Sequence, residues 1–298
     1  MHAIVACNRP ISSAYLHLGI SAPAFPVTFR AGEFVMIRPS WVGDPFLPRA
    51  FSIYRVSSRP SIAGSPAGDT PPVIEILYKI LGRGTQCLSR MEPGQEIEIL
   101  GPLGNSFTLP KDLEQAVLVA GGIGVPPIAA LAAQVAQIRN SKFEIRNLEV
   151  FLGGKTSEDI LCVKDFEEAG AGVHIATEDG SLGTRGLVTD LLRPFLLTPH
   201  AHPADSAPDR VAERGGPLAQ GRLGTRLTIY TCGPPGMLAA VARLAEESAV
   251  PCQVSVEANM ACGFGACMGC AVEVKADGKS YKLVCKDGPV FDSREIVW

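Results

Sequence analysis

Between positions 2 and 110 the apolar residues fall into short runs that alternate with polar ones and are broken by glycine and proline. Runs at 34–37, 51–54, 73–80 and 96–100 are strand-like, with the alternation that sends successive side chains to opposite faces. Helical spacing is nearly absent until 81–91. That mixture predicts a small antiparallel β-barrel with one short helix. From position 116 the pattern changes. Residues 116–120 (AVLVA) form a continuous apolar run, as in a strand covered on both faces of a parallel sheet. The run enters a Gly-rich turn and then a helical stretch over 128–138. Further strands are expected at 148–152, 173–177 and 227–231, the last leading through a second Gly-rich turn into a helix that ends near Glu247. Repeated strand, turn and helix predict a parallel sheet with ligands at the carboxyl ends of its strands.

The expected fold class is α+β and multidomain. The boundaries are a β-barrel over 1–110, an α/β nucleotide-binding domain over 111–250, and a small C-terminal domain over 251–298. Two stretches, 57–72 and 198–224, are rich in Ser, Pro and Gly and lack apolar periodicity. Both are expected to be flexible surface excursions, the second an insertion in the α/β domain. His200 and His202 lie in the second, where an H-x-H pair in a polar loop reads first as ordinary solvated side chains.

Composition narrows the picture. A chain of 298 residues is long enough for two or three cores rather than one. The formal net charge of −3 comes with no basic run of the kind that tracks nucleic acid. No apolar run approaches the length of a membrane span. No leader is expected at the start of the sequence, and the cytoplasm is the expected compartment.

The most informative chemistry is near the C-terminus. Cys262, Cys267 and Cys270, followed by a lone Cys285, read C-x4-C-x2-C…C, the plant-type spacing for a [2Fe–2S] cluster. Gly263, Gly265 and Gly269 between them are expected to allow the backbone angles that a close wrap around sulfide requires. Main-chain N–H groups aimed at sulfur would tune the cluster's potential. Structural zinc sites show two short Cys/His pairs with a spacer, which this spacing matches poorly. Nine cysteines in all, an odd number, do not suggest a disulfide framework. Cys7, Cys87, Cys162, Cys232 and Cys252 are scattered and read as small apolar residues.

Four further motifs bear on cofactors. Arg49-Ala50-Phe51-Ser52 puts a guanidinium, an aromatic ring and a hydroxyl on one strand edge. Arg49 suits a flavin pyrophosphate, although R-x-F-S is short and recurs in unrelated proteins. Gly82-Arg83-Gly84-Thr85 opens a helix and offers either an anion site or a plain turn capped by Thr85. Gly121-Gly122-Ile123-Gly124-Val125-Pro126-Pro127 and Cys232-Gly233-Pro234-Pro235-Gly236-Met237 each join a strand to a helix. They are suited to docking a pyrophosphate on a helix N-terminus, or to tight packing alone. Selectivity between NAD and NADP is expected near 153–159, where Lys155 competes with Glu158 and Asp159 and leaves the choice open.

Taken in order, these four motifs resemble the ferredoxin–NADP reductase superfamily over roughly positions 4–247. With the cysteine motif appended, the chain is similar to the electron transfer subunits of NAD-dependent (B-type) dihydroorotate dehydrogenase. The stretches TEDGSLG at 177–183 and SVEANMACG at 255–263 add to the likeness. The resemblance implies FAD contacts at Arg49, Ala50, Phe51, Ser52, Leu77, Tyr78, Lys79, Gly84 and Thr85. It implies nicotinamide-nucleotide contacts at Gly121, Gly122, Gly124, Cys232 and Gly233, with a packing role for Cys232 equally open. The cluster ligands implied are Cys262, Cys267, Cys270 and Cys285, and no residue is assigned as a general base. Electrons from a partner's FMN, where dihydroorotate is oxidised, are implied to pass singly through the cluster to FAD and then as hydride to NAD+. The pathway implied is de novo pyrimidine (UMP) biosynthesis, and the assembly a heterotetramer of two chains of each kind. Where the family often carries a proline-type residue this chain has Ala50, and the 198–224 stretch has no counterpart. Glu257 is open between a subunit contact and a solvated charge. The alternatives are an FAD/[2Fe–2S] reductase subunit of a hydrogenase or ferredoxin-NAD(P) oxidoreductase, and a zinc-stabilised binding module.

Overall fold

The computed structural model describes residues 1–39, 47–57, 71–139, 145–197, 226–276, 278 and 280–298. Most of the 57–72 stretch and all of 198–224, with His200 and His202, lie outside the described residues.

The first sheet is built from β1 (His2–Pro10), β2 (Tyr15–Ser21), β3 (Phe34–Pro39), β4 (Arg49–Ser52), β5 (Arg55–Ser57), β6 (Val73–Lys79) and β7 (Glu96–Leu103), with helix α1 (Arg83–Ser89) between the last two. Its order is β4-β3-β7-β1-β2-β6-β5 and every pairing is antiparallel. The edge strands β4 and β5 are separated in the chain only by Ile53 and Tyr54. A sheet whose two edges are joined so closely must curl until they meet. Phe51 on β4 and Tyr78 on β6 touch edge to face across that closure, their ring centroids 5.9 Å apart. Inside, the alternate residues Leu18, Ile20, Val35, Ile37, Ile74 and Ile76 form one buried cluster.

The second sheet holds β8 (Gln115–Gly121), β9 (Asn147–Gly154), β10 (Gly172–Thr177), β11 (Thr184–Arg185), β12 (Leu227–Cys232) and β13 (Cys252–Ser255), all parallel. Helices α2 (Val125–Arg139), α3 (Val163–Glu168), α4 (Val188–Leu197) and α5 (Pro235–Glu247) cover it. Every residue of β8 is buried, as its apolar run predicts for a strand covered on both faces. α2 and α3 pack with Leu118 and Ala120 of β8, while α4 and α5 pack with Val117 and Val119. The strand order reverses between β8 and β12, so the turns after these two strands flank the switch point where open α/β sheets bind ligands.

Beyond β13 come the hairpin β14 (Ala271–Val274) and β15 (Ser280–Leu283), then β16 (Val290–Asp292). β16 pairs antiparallel with β13 and forms the edge of the second sheet. The same region is bonded to the barrel through Asn105. Its side chain donates to the carbonyls of Asp287 (2.9 Å) and Val290 (3.0 Å) and accepts the Val290 N–H (2.9 Å). Phe107, on the connection between the sheets, meets Tyr230 of β12 edge to face at 5.8 Å. Its cluster joins Ala31 of the barrel to Leu118 and Ile128 of the α/β layer. Among the described residues no helix is long and apolar enough to cross a membrane.

Candidate functional site

A cleft of ≈ 790 Å³ opens between the barrel and the start of the cysteine-bearing segment. All nine positions expected to contact a flavin line it: Arg49, Ala50, Phe51 and Ser52 on β4, Leu77, Tyr78 and Lys79 on β6, and Gly84 and Thr85 in α1. β4 pairs within the sheet only with β3, which leaves the N–H and C=O groups of its other side without a ladder partner. Arg49 is aimed by its own turn: its Nη1 donates to the carbonyls of Leu47 (2.7 Å) and Pro48 (3.3 Å). No carboxylate among the described residues pairs with it, which leaves its charge for an anion. A Cβ on Gly84 would stand 2.7 Å from Arg49 Nε, so the glycine makes room for the guanidinium to cross α1. Thr85 is not the helix cap. Gly82 holds that position, and the Thr85 hydroxyl reaches back to accept the N–H groups of Leu81 (2.9 Å) and Gly82 (3.2 Å). At the floor of the cleft the Tyr78 hydroxyl donates to Asn8 Oδ1 (3.0 Å), and burial pushes its phenol up to about 12.

A second cleft of ≈ 490 Å³ lies over the switch point of the parallel sheet. Gly121, Gly122, Gly124 and Gly233 line it, together with Gly153 and Gly154 at the end of β9. A Cβ on Gly124 would meet the main chain of Cys232 and Gly233 at 2.5 Å, so the two turns touch backbone to backbone. Neither α2 nor α5 carries an acidic residue in its first turn, which leaves both positive helix ends uncompensated. Cys232 lines neither cleft. It is 1 % exposed behind the turn, and burial pushes its thiol up.

The two clefts share Lys79, Ile123 and Glu257. Neither Ile123 nor Glu257 was expected to line a cofactor cleft, because only the meeting of the barrel and the sheet creates their shared wall. Glu257 is reachable by water yet set deep in the junction, where surrounding protein raises its carboxyl by desolvation. The acidic pair considered for nucleotide selectivity is engaged elsewhere. Glu158 accepts the Ser13 hydroxyl at 2.5 Å, and Asp159 accepts Tyr15 and Lys79 of the barrel at 2.6 and 3.1 Å. Burial works against the Asp159 carboxylate, but these partners hold it below the usual range. Lys155 and Glu178 are the charged side chains of the sheet domain left lining this cleft besides Asp159.

The larger cleft's wall runs through Val256, Glu257, Ala258, Asn259 and Met260, and the chain enters the cysteine loop two residues later at Cys262. Gly263 (φ 81°) and Gly265 (φ 89°) take left-handed angles, as expected, whereas the third such residue is Met268 (φ 60°) rather than Gly269. Gly263 packs flat on Met36 of β3, where a Cβ would clash. The Cys270 and Cys285 sulfurs lie 3.2 Å apart, well beyond a disulfide bond. The Cys262 sulfur accepts the Cys267 N–H at 3.4 Å, and Cys270 accepts the Cys285 N–H at 3.4 Å. Burial opposes it, yet N–H groups of Cys267, Phe264 and Ala266 draw the Cys262 thiol down to about 6. Burial and then the neighbouring Cys270 push Cys285 up to about 12. No three or more His, Cys, Asp or Glu among the described residues surround a single point. The close Cys270–Cys285 sulfurs and the N–H groups aimed at the Cys262 and Cys270 sulfurs are features a [2Fe–2S] cluster would use. Cys267 is exposed beside Phe264 and Met268, which are 58 % and 61 % exposed.

A closed antiparallel barrel, a parallel sheet and clefts that meet at their junction define a ferredoxin-reductase-like oxidoreductase fold. Solved structures agree. An NADH-dependent reduced ferredoxin-NADP oxidoreductase superposes with a TM-score of 0.74 at 22% identity, covering 99% of this chain and 90% of that one. A ferredoxin NADP+ reductase from Neisseria gonorrhoeae with bound FAD and NADP gives 0.57 at 14%, covering 83% and 91%. Residues 257–297 match the family model of the iron-sulfur cluster binding domain of dihydroorotate dehydrogenase B. The dihydroorotate dehydrogenase B (NAD(+)) electron transfer subunit of Desulforamulus reducens is 35% identical over 268 residues, 90% of this chain and 86% of the relative. That of Caldanaerobacter subterraneus subsp. tengcongensis is 34% identical over 306 residues, covering 100% and 98%. The chain belongs to the family of dihydroorotate dehydrogenase B (NAD(+)) electron transfer subunits.

Proposed function

We propose that this chain carries electrons from a dihydroorotate-oxidising partner to NAD+, in pyrimidine biosynthesis and in the cytoplasm. The observation that carries the reading is the order of its parts: cysteine loop, larger cleft and smaller cleft adjoin one another, with a common wall between the clefts. When bound, a [2Fe–2S] cluster passes single electrons and FAD exchanges them for hydride, the form NAD+ accepts. The protein's own work is placement. Arg49 holds a pyrophosphate with a guanidinium that no carboxylate among the described residues neutralises, and Gly84 leaves the room it occupies. Ala50 and Ser52 border the same cleft, as do Phe51 and Tyr78, whose rings pack edge to face. Gly121, Gly122, Gly124 and Gly233 let a nucleotide pyrophosphate approach the helix ends at the switch point. Cys262, Cys267, Cys270 and Cys285 would supply the four thiolates that hold the cluster.

The exposed Phe264 and Met268 beside Cys267 suit docking of the FMN-bearing subunit, and two copies of each subunit is the assembly we propose. The test uses anaerobically purified complex. Flavin and iron–sulfur absorption and dihydroorotate-dependent NADH formation are expected, with a complex mass equal to two of each subunit. Cys285→Ser should abolish NADH formation from dihydroorotate while NADH oxidation by a dye persists. A colourless zinc-loaded protein, or a Cys285→Ser variant that still couples dihydroorotate to NAD+, would sink the reading.

A further inference from the structure

The wall between the clefts is fixed by a cluster of side chains that come from three distant parts of the chain. Tyr15 and Lys79 are cross-strand partners on β2 and β6. The Tyr15 hydroxyl donates to Asp159 Oδ1 at 2.6 Å. The Lys79 ammonium donates to that same oxygen at 3.1 Å and to the Tyr15 hydroxyl at 3.0 Å, and stands 4.7 Å from the centre of the Tyr15 ring. The other carboxylate oxygen, Oδ2, accepts the Lys155 N–H at 3.0 Å and the Thr156 N–H at 3.4 Å. Asp159 therefore grips the barrel with one oxygen and the turn after β9 with the other. All three side chains line the nucleotide cleft, and Lys79 lines the flavin cleft as well.

We propose that Asp159 is a positioning residue: through Tyr15 and Lys79 it fixes the nucleotide cleft against the flavin cleft and holds an ammonium on their common wall. The proposal rests on the two clefts holding FAD and NAD as read above. The flavin's contacts belong to the barrel and the nucleotide's to the sheet, so the distance between their reacting atoms depends on how the two domains are docked. Transfer between them needs atoms about 3–3.5 Å apart, and an error near 1 Å costs on the order of a hundredfold in rate. A carboxylate bonded on both sides at the wall itself restrains that distance more directly than contacts farther out. Arg55 and Asp165, an ion pair at 2.8 Å, also join the barrel to the sheet domain but line neither cleft. They are the natural comparator. Charge gives a second signature. Reduction of a flavin adds negative charge, which the Lys79 ammonium favours and the Asp159 carboxylate disfavours.

The test uses full-length chain loaded with flavin and cluster, assayed for NADH oxidation by a dye and for the flavin midpoint potential. Asp159→Asn keeps an acceptor and removes the charge. Tyr15→Phe keeps the ring and removes the bridging hydroxyl, and serves if the first variant folds poorly. Both are expected to lower kcat roughly ten- to a hundredfold with KM for NADH changed by less than about threefold. Asp159→Asn should also raise the flavin potential, and Arg55→Ala should leave kcat and potential at wild-type values. Wild-type kcat and potential in Asp159→Asn, or an equal loss in Arg55→Ala, would overturn the proposal. Absence of flavin from the wild-type preparation would instead overturn the reading on which it rests.

Discussion

Replacing Gly124 by alanine places one methyl group where the fold leaves no room for it. Gly124 has no left-handed backbone angle, so the demand at this position is for space alone. The added Cβ would lie 2.5 Å from the carbonyl carbon and oxygen of Cys232 and from the nitrogen of Gly233, against 3.4–4 Å for ordinary contact. The neighbour is backbone, so no side chain can swing away, and the two turns must separate by roughly 1 Å. The strands that feed them are adjacent and buried, Ala120 opposite Cys232, so the displacement falls on the turns. Overpacking of this kind costs about 1–3 kcal/mol. If the turns relax in the free protein and are forced back on binding, that cost becomes a roughly five- to 150-fold weaker affinity for NAD+. If they do not relax, it becomes a fall in Tm of about 2–10 °C. Equilibrium titration of the oxidised protein with NAD+ and a thermal melt read both, with flavin and cluster absorption as internal controls. A variant with wild-type affinity and wild-type Tm would refute the argument that backbone contact between the turns shapes the nucleotide cleft.

Two further predictions concern a barrel glycine and the buried tyrosines. In Gly84→Ala the new Cβ meets only the mobile end of Arg49, at 2.7 Å from Nε, so the fold should persist while the guanidinium is displaced. Losing a charged hydrogen bond to phosphate should weaken FAD retention about ten- to a hundredfold, read from the ratio of flavin to protein absorbance; full FAD occupancy after dilution would count against it. Tyr78 is pushed up to about 12, and Tyr15, Tyr54 and Tyr230 are raised too, each chiefly by burial. Unfolded tyrosines ionise near pH 10, so the stabilisation these phenols bring is complete below that pH and is lost as pH rises toward their folded values. Urea midpoints at pH 7 to 11 should fall above about pH 10, with these tyrosines ionising at 295 nm only as the chain unfolds. Ionisation of all of them near pH 10 in folded protein would contradict it.

What could be read from sequence was what a short stretch of chain decides by itself. The β8 run and the Gly-rich turns are local constraints, and each stands where its pattern indicates. Of the two readings open for the 82–85 turn, capping by Thr85 fails for a local reason: a threonine near a helix start suggests a cap, but here Gly82 is the cap and the Thr85 hydroxyl turns back to Leu81 and Gly82. The partners of Glu158 and Asp159, where the sequence leaves nucleotide selectivity open, are hidden for a non-local reason. Nothing near them in sequence reveals that Ser13, Tyr15 and Lys79 will be brought against them when the barrel docks. Glu257 is similar, since a carboxylate after a strand carries no sign of which clefts will meet beside it. The placement of β13 and β16 in one sheet depends on a pairing across the whole cysteine segment, which periodicity within either strand cannot express.

Asn105 and the β13–β16 ladder hold the cysteine segment from two sides at once, one bond set to the barrel and one to the parallel sheet. Electron carriers that swing on a tether must search for their acceptor, and their turnover then slows as the medium thickens. A carrier bolted to both of its neighbours has no search to make. Current through a cluster held this way would be that of a soldered joint, its speed set by gap and driving force, and only the partner on the outer side and NAD+ on the inner would have to arrive.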